Sequence, residues 1–386
     1  MPHYLCVGDV PHKRHTQHRA ANGALYYEEL VGANGFSAES ALLYHRYLPA
    51  AITASREWPL PREQVVANHP LRGRHLRTGD LAVPAADAVT GRLALLTNAD
   101  VTLSWFHATQ PSPLYRNAGA DECVFVHRGS AVVETAYGVL QATAGMYVVL
   151  PRGTTHRWVP DDDEPVGALV IAARGHVAPP SRYLTRGGQF MEHSPYCERD
   201  LRAPSEPLYV DDTDVEVYVR HGDTGSIVTH ARHPFDLVGW DGCLYPYGLH
   251  VDDFEPITGR VHQPPPVHQV FEAPGFVVCN FVPRKVDYHP DAIPAPYYHH
   301  NIDSDEVLFY VAGNYAARSG SGIGSGSISL HPAGLTHGPQ PGSYERSIGV
   351  TEVDELAVMV DTFAPLSLTQ AALAIDDEEY PWTWAR

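Results

Sequence analysis

The sequence predicts an all-β protein made of two barrels in tandem. Three observations carry that expectation. Thirty-two Gly and 33 Pro in 386 residues cut the chain into short pieces, which suits turns better than long helices. The apolar runs are short and rich in Val, Ile, Phe and Tyr, the residues that fill strands. A two-part pattern occurs twice with the same internal spacing, and a repeated pattern means a repeated structural unit.

In chain order, Leu25–Leu30 reads as a short strand, and residues 40–46 read equally as a strand or a helical turn. Leu93–Leu96 and Val101–Phe106 read as successive antiparallel strands. The first copy of the pattern follows: Arg116-Asn117-Ala118-Gly119-Ala120-Asp121-Glu122-Cys123-Val124-Phe125 runs on to Gly129. Its second half is Gly145-x5-Pro151-x-Gly153-x2-His156. Residues 176–215, with Pro179-Pro180, Gly187-Gly188 and Asp211-Asp212, read as a linker. Strand-like text resumes at Val215–Val219 and Ser226–Val228, followed by a turn-rich passage, His233–Gly242. Pro264-Pro265-Pro266 fixes an extended approach to Val267-His268, and Phe276–Val282 is a buried-strand candidate. The second copy is His300-Asn301-Ile302-Asp303-Ser304-Asp305-Glu306-Val307-Leu308-Phe309 running on to Gly313, then Gly326-x5-Pro332-x-Gly334-x2-His337. A short helix and an acidic, aromatic end close the chain after Asp361. The expected domains are residues 1–210 and 211–386.

The formal net charge of −18 argues against nucleic acid or an anionic membrane surface as the main partner. No apolar run approaches the ~18 residues of a membrane span, and residues 1–20 have no apolar core of a secretion signal. Five scattered Cys without a CxxC pair read as reduced thiols, so a cytoplasmic protein is expected.

The repeated spacing resembles the two-part pattern of the cupin, or jelly-roll, barrels. On that pattern His300, Glu306 and His337 are two imidazoles and a carboxylate on adjacent strands, a set that leaves open positions and suits non-haem Fe(II). The neighbouring His299 is a second candidate for the first imidazole; the spacing to Glu306 favours His300. The first copy has Arg116 where the second has His300, and Leu150 where the second has His331. The first barrel is therefore expected to be metal-free, with Glu122 paired to Arg116 and His156 left over. Asp303 and Asp305 read as exposed loop acids.

More narrowly, the chain resembles the homogentisate 1,2-dioxygenases of the shorter bacterial type. The residues that carry this are Tyr297–Glu306, Leu330–Pro339, Gly313-Asn314-Tyr315, Gly239–Gly242, and Gly8–Pro11 with Lys13–Gln17. The resemblance implies iron held by His300, Glu306 and His337 and a general base at His268. It also implies substrate contacts at Tyr315, His331 and His337. It further implies O2 and a small aromatic substrate as partners, ring opening of homogentisate to maleylacetoacetate, and a homo-oligomer, often a hexamer. Two other readings stay open: a cupin dioxygenase for gentisate or another phenol, and a Zn- or Mn-binding bicupin without redox chemistry.

Overall fold

The computed structural model describes residues 3–81, 86–161 and 164–386. The described residues fold into sheets of eight, seven, six and four strands plus a two-stranded ladder, and among them helices are confined to short turns. Residues 40–46 resolve as strand, Ser40–His45. No helix among the described residues is long and apolar enough to cross a membrane.

The first barrel closes between the eight-stranded and seven-stranded sheets. Val124, Val126, Val148 and Val170 of the former meet Ala131, Val133, Leu140 and Trp158 of the latter in a fully buried cluster. The alternate residues of the same strands, Cys123, Phe125, Tyr147, Val149 and Ile171, belong to a second, larger cluster. The eight-stranded sheet is thus buried on both faces. This explains why Asp121–Arg128, Met146–Leu150 and Val166–Ala173 read as continuous apolar runs rather than alternating ones.

The six-stranded sheet lies against that second face. It runs Gln269–Ala273, Phe276–Phe281, Glu355–Thr362, Asp305–Gly313, Ser327–His331 and Arg74–Arg77. Phe309 joins the units, its ring 5.6 Å from Trp105, 5.1 Å from His127 and 6.2 Å from Phe125. Val307, Phe309 and Val311 face inward to this seam, so Glu306, Leu308 and Tyr310 face the other way. That opposite face carries the candidate site.

The expected division at residue 210 cuts through shared sheets. Thr213–His221 pairs with Leu114–Asn117, and Tyr247–His250 pairs with Met146–Leu150. The N-terminal unit therefore takes strands up to residue 250. Exchange also runs across the seam: Arg74–Arg77 edges the C-terminal sheet beside Ser327–His331, while Ser367–Thr369 sits in the N-terminal sheet between Leu93–Thr97 and Val65–Ala67. Local apolar pattern gave no hint of this, because strand text does not say which sheet a strand joins.

Candidate metal centre

The second copy of the pattern builds a cluster at one end of the six-stranded sheet. Asp305, far from being a loose loop acid, is 4% exposed and accepts hydrogen bonds from the backbone N–H groups of Ala333 (2.9 Å) and Leu366 (2.8 Å). It ties the two halves of the motif together. Gly313 ends the strand at φ +88°, and a Cβ there would stand 2.1 Å from the Asp354 carbonyl oxygen, so only glycine fits. Gly129 occupies the same place in the first copy at φ +71°.

His299 and His337 form an antiparallel bridge, each backbone N–H donating to the other's carbonyl at 2.9 and 2.8 Å. Their rings lie on one side, with centroids 4.4 Å apart. On extended backbone the next side chain points the opposite way. His300 is accordingly exposed and outside the cluster, and the imidazole beside Glu306 is that of His299. The expectation of His300 is corrected here; counting residues to Glu306 could not see the bridge that sets which neighbour turns inward.

His299 Nε2 lies 3.2 Å from Glu306 Oε2, and His337 Nε2 lies 3.3 Å from Glu306 Oε1. Each ring spends its Nδ1–H on a backbone carbonyl, Tyr297 O for His299 and Leu335 O for His337, both at 3.1 Å. That fixes the tautomer with Nε2 lone pairs turned to the carboxylate. His337 Nε2 is buried and has no hydrogen-bond partner. Lone pairs facing a carboxylate call for a cation between them. Donors sharing one ion at ~2.1 Å and roughly 90–110° stand ~3.0–3.4 Å apart, which these distances match. The residues present fit a metal ion, with His299, Glu306 and His337 as its holders.

Burial alone would raise the Glu306 carboxyl; the imidazoles of His299, His331 and His337 gathered around it overcome this and hold it well below the usual range. His331 Nδ1–H donates to Glu306 Oε1 at 3.0 Å, and its Nε2 accepts from the Tyr380 hydroxyl at 2.9 Å. Burial pushes the His331 imidazole down to about 3, so this ring is neutral, as both bonds require. Its ring stacks on His337 at 4.2 Å. Tyr380 was not foreseen as a partner; its text is an ordinary aromatic tail, and only the fold brings it back under the site.

Asp361 pairs directly with Glu306 across the sheet and shares its face. Its Oδ1 is buried without a partner, and burial, then repulsion from Glu306, push its carboxyl well up. Asp361 borders a cavity of about 650 Å³ walled by Val277, Cys279, Met359 and Phe363, with the exposed Arg182 among its lining residues. His268 is not part of the metal cluster: its ring lies 4.6 Å from Phe281, though Pro265, Pro266 and Gln269 of its loop line the cavity. Its Nδ1 is unpartnered, and burial pushes it down to about 3. Tyr315 leans edge-on against Tyr310 at 5.1 Å, four strand residues or ~13 Å from Glu306. Its hydroxyl is buried and unpartnered.

The sequence model described as "Homogentisate 1,2-dioxygenase C-terminal" matches residues 252–386. A protein of Saccharolobus solfataricus named "putative dioxygenase" is 37% identical over 100% of this chain and 99% of its own length. A protein named homogentisate 1,2-dioxygenase from Rhodopseudomonas palustris is 26% identical over 98% of this chain and 90% of its own. The chain belongs to the homogentisate 1,2-dioxygenase-like family. Among solved structures, a cupin barrel protein from Leptotrichia buccalis covers 75% of this chain and 96% of its own at 7% identity and a TM-score of 0.33, too low a likeness to argue from.

Within this dioxygenase-family chain, the first copy shows what a closed version of the same cluster looks like. Glu122, Tyr115 and His156 stand where Glu306, His299 and His337 stand in the second, and Tyr115 pairs with His156 as His299 does with His337. The cation here is Arg92, whose two terminal nitrogens meet Glu122 Oε1 and Oε2 at 2.7 and 3.2 Å. Tyr115 and Asn117 also donate to Glu122 Oε1. Burial opposes the charge on Glu122, but Arg92 prevails and holds it at about 2. The expected partner, Arg116, is on the opposite face of its strand, bonded through Nε to Thr155 Oγ1. The same one-residue alternation that turned His300 outward turned Arg116 outward.

Proposed function

We propose that this chain is an Fe(II)-dependent ring-cleaving dioxygenase that opens homogentisate with O2 to maleylacetoacetate. The observation that carries the proposal is the pair of inward Nε2 atoms of His299 and His337 facing one buried carboxylate, near a cavity that Asp361 lines. Ferrous iron held by His299, Glu306 and His337 would supply redox chemistry toward O2 and open positions for a phenol oxygen. The family membership supports dioxygenase chemistry at such a centre.

The chain's own residues divide the remaining work. His331 and Tyr380 hold the Glu306 carboxylate in one orientation. Asp361, which lines the cavity and pairs across the sheet with Glu306, offers its carboxyl to a ring hydroxyl. Val277, Cys279 and Met359 give the aromatic ring an apolar wall. Arg182, exposed and making no ion pair among the described residues, offers a guanidinium to the carboxymethyl arm. His268 stands at the cavity's edge as a neutral imidazole with a free Nδ1, and Tyr315 contributes a free hydroxyl farther along the sheet.

A homo-oligomer belongs to the same reading, supported by the exposed apolar side chains of Tyr288, Ile293, Ile302 and Ile348; light scattering tests it. For the activity, oxygen uptake is measured on Fe(II)-loaded protein with homogentisate and with gentisate. Uptake with homogentisate and formation of the ring-opened product is expected. Preference for gentisate moves the substrate, and a Zn-bound protein that consumes no O2 ends the dioxygenase reading.

A further inference from the structure

A second cavity, of about 280 Å³, lies between the outer face of the seven-stranded sheet and the four-stranded N-terminal sheet. Arg116 faces into it. Its strand neighbour Tyr115 points inside the first barrel at Glu122, so alternation sends the guanidinium out to this cavity. Among the described residues Arg116 makes one hydrogen bond, from Nε to Thr155 Oγ1 at 2.8 Å, and no ion pair. Two other guanidiniums in the lining do have acids: Arg152 has Asp121 at 3.4 Å and Arg232 has Asp211 at 3.6 Å. The terminal N–H groups of Arg116 are left for whatever fills the cavity, water or a guest that can accept from them. His230, on the same sheet face and 9% exposed, adds a buried Nε2 without a partner.

The cavity's own acids are already committed. His45 sits between them, Nδ1 at 2.6 Å from Asp236 and Nε2 at 3.0 Å from Glu29. Glu29 attracts Arg116 without reaching ion-pair distance, and the two acids would repel a doubly charged guest. The remaining wall includes Val31, Leu43, Leu48 and Ala136.

We propose that this cavity is a binding site for a small monocarboxylic acid with an apolar tail, its carboxylate taken by Arg116 and its tail by the aliphatic wall. The site is separate from the metal cluster and stands whether or not the proposed reaction does. Planar, two-nitrogen donation favours a carboxylate.

The test is calorimetric titration of metal-free protein with butyrate and, separately, inorganic phosphate. Butyrate is expected to bind one site per chain. Arg116→Gln is expected to weaken it ~10-fold or more, the worth of a charge-assisted hydrogen bond. His230→Phe, a second variant that leaves Arg116 in place, is expected to weaken it ~3-fold or more and decides the matter if Arg116→Gln does not fold. Three results overturn the proposal: no butyrate binding to the wild type, equal binding to the wild type and the folded variant, or phosphate bound in preference to butyrate.

Discussion

Replacing His299 or His300 by alanine separates two adjacent imidazoles that the sequence alone leaves in competition. His300 is exposed and outside the cluster, so His300→Ala is expected to change stability by no more than ~0.5 kcal/mol and metal content not at all. His299→Ala removes one of the three proposed donors. Its fold should persist, because the bridge to His337 is made by backbone groups and Glu306 keeps His331 and His337 as neighbours. Loss of a residue that merely orients a ligand costs ~10–100-fold in metal affinity. Loss of the ligand itself is expected to exceed ~100-fold, or ~2.7 kcal/mol. The assay is bound iron per chain by elemental analysis, with competition by a chelator to give affinity. A His300→Ala protein stripped of metal beside a His299→Ala protein that keeps it would refute the reasoning from the bridge.

Other outcomes follow from the same structure. Arg92→Leu leaves Glu122 charged and buried without its guanidinium, and is expected to cost ~3–5 kcal/mol in urea unfolding; adding Glu122→Leu should restore most of it. Asp361→Asn is expected to leave metal content unchanged and raise KM for homogentisate ~10-fold in oxygen-uptake kinetics; an unchanged KM removes Asp361 from the substrate contacts. Burial opposes the charge on His45, but its bonds to Asp236 and Glu29 raise its pKa from 6.5 to about 9. A raised folded-state value means the stabilisation is fully present below about pH 6.5 and is lost as pH rises through about 9. The difference in unfolding free energy between wild type and His45→Gln should therefore shrink over that window, by ~1–3 kcal/mol.

Much of the architecture was legible because it is local. The duplicated motif marked both clusters, since the glycines at 129 and 313 are each forced by backbone geometry within their own copy; Asp305, expected to be a loop acid, is instead buried by bonds from Ala333 and Leu366. Glu306 and His337, expected side by side from the spacing, stand 3.3 Å apart. What escaped was decided at a distance. Whether His299 or His300 faces the carboxylate depends on a bridge to a residue nearly forty positions on. Arg92 fills the first copy's cluster from just ahead of the strand Leu93–Thr97, outside the motif, and Tyr380 reaches His331 from the far end of the chain. No spacing rule reports contacts of that kind.

The traded edge strands carry one more consequence. The strand that holds His331 is flanked by Arg74–Arg77, and Leu330 sits in register with Arg74. A fragment of residues 252–386, though it contains all three proposed ligands, would leave that flank as bare, unsatisfied peptide groups. The duplicated halves are thus clasped like folded hands: each has surrendered a finger to the other, and neither can be withdrawn from the pair without opening its own grip.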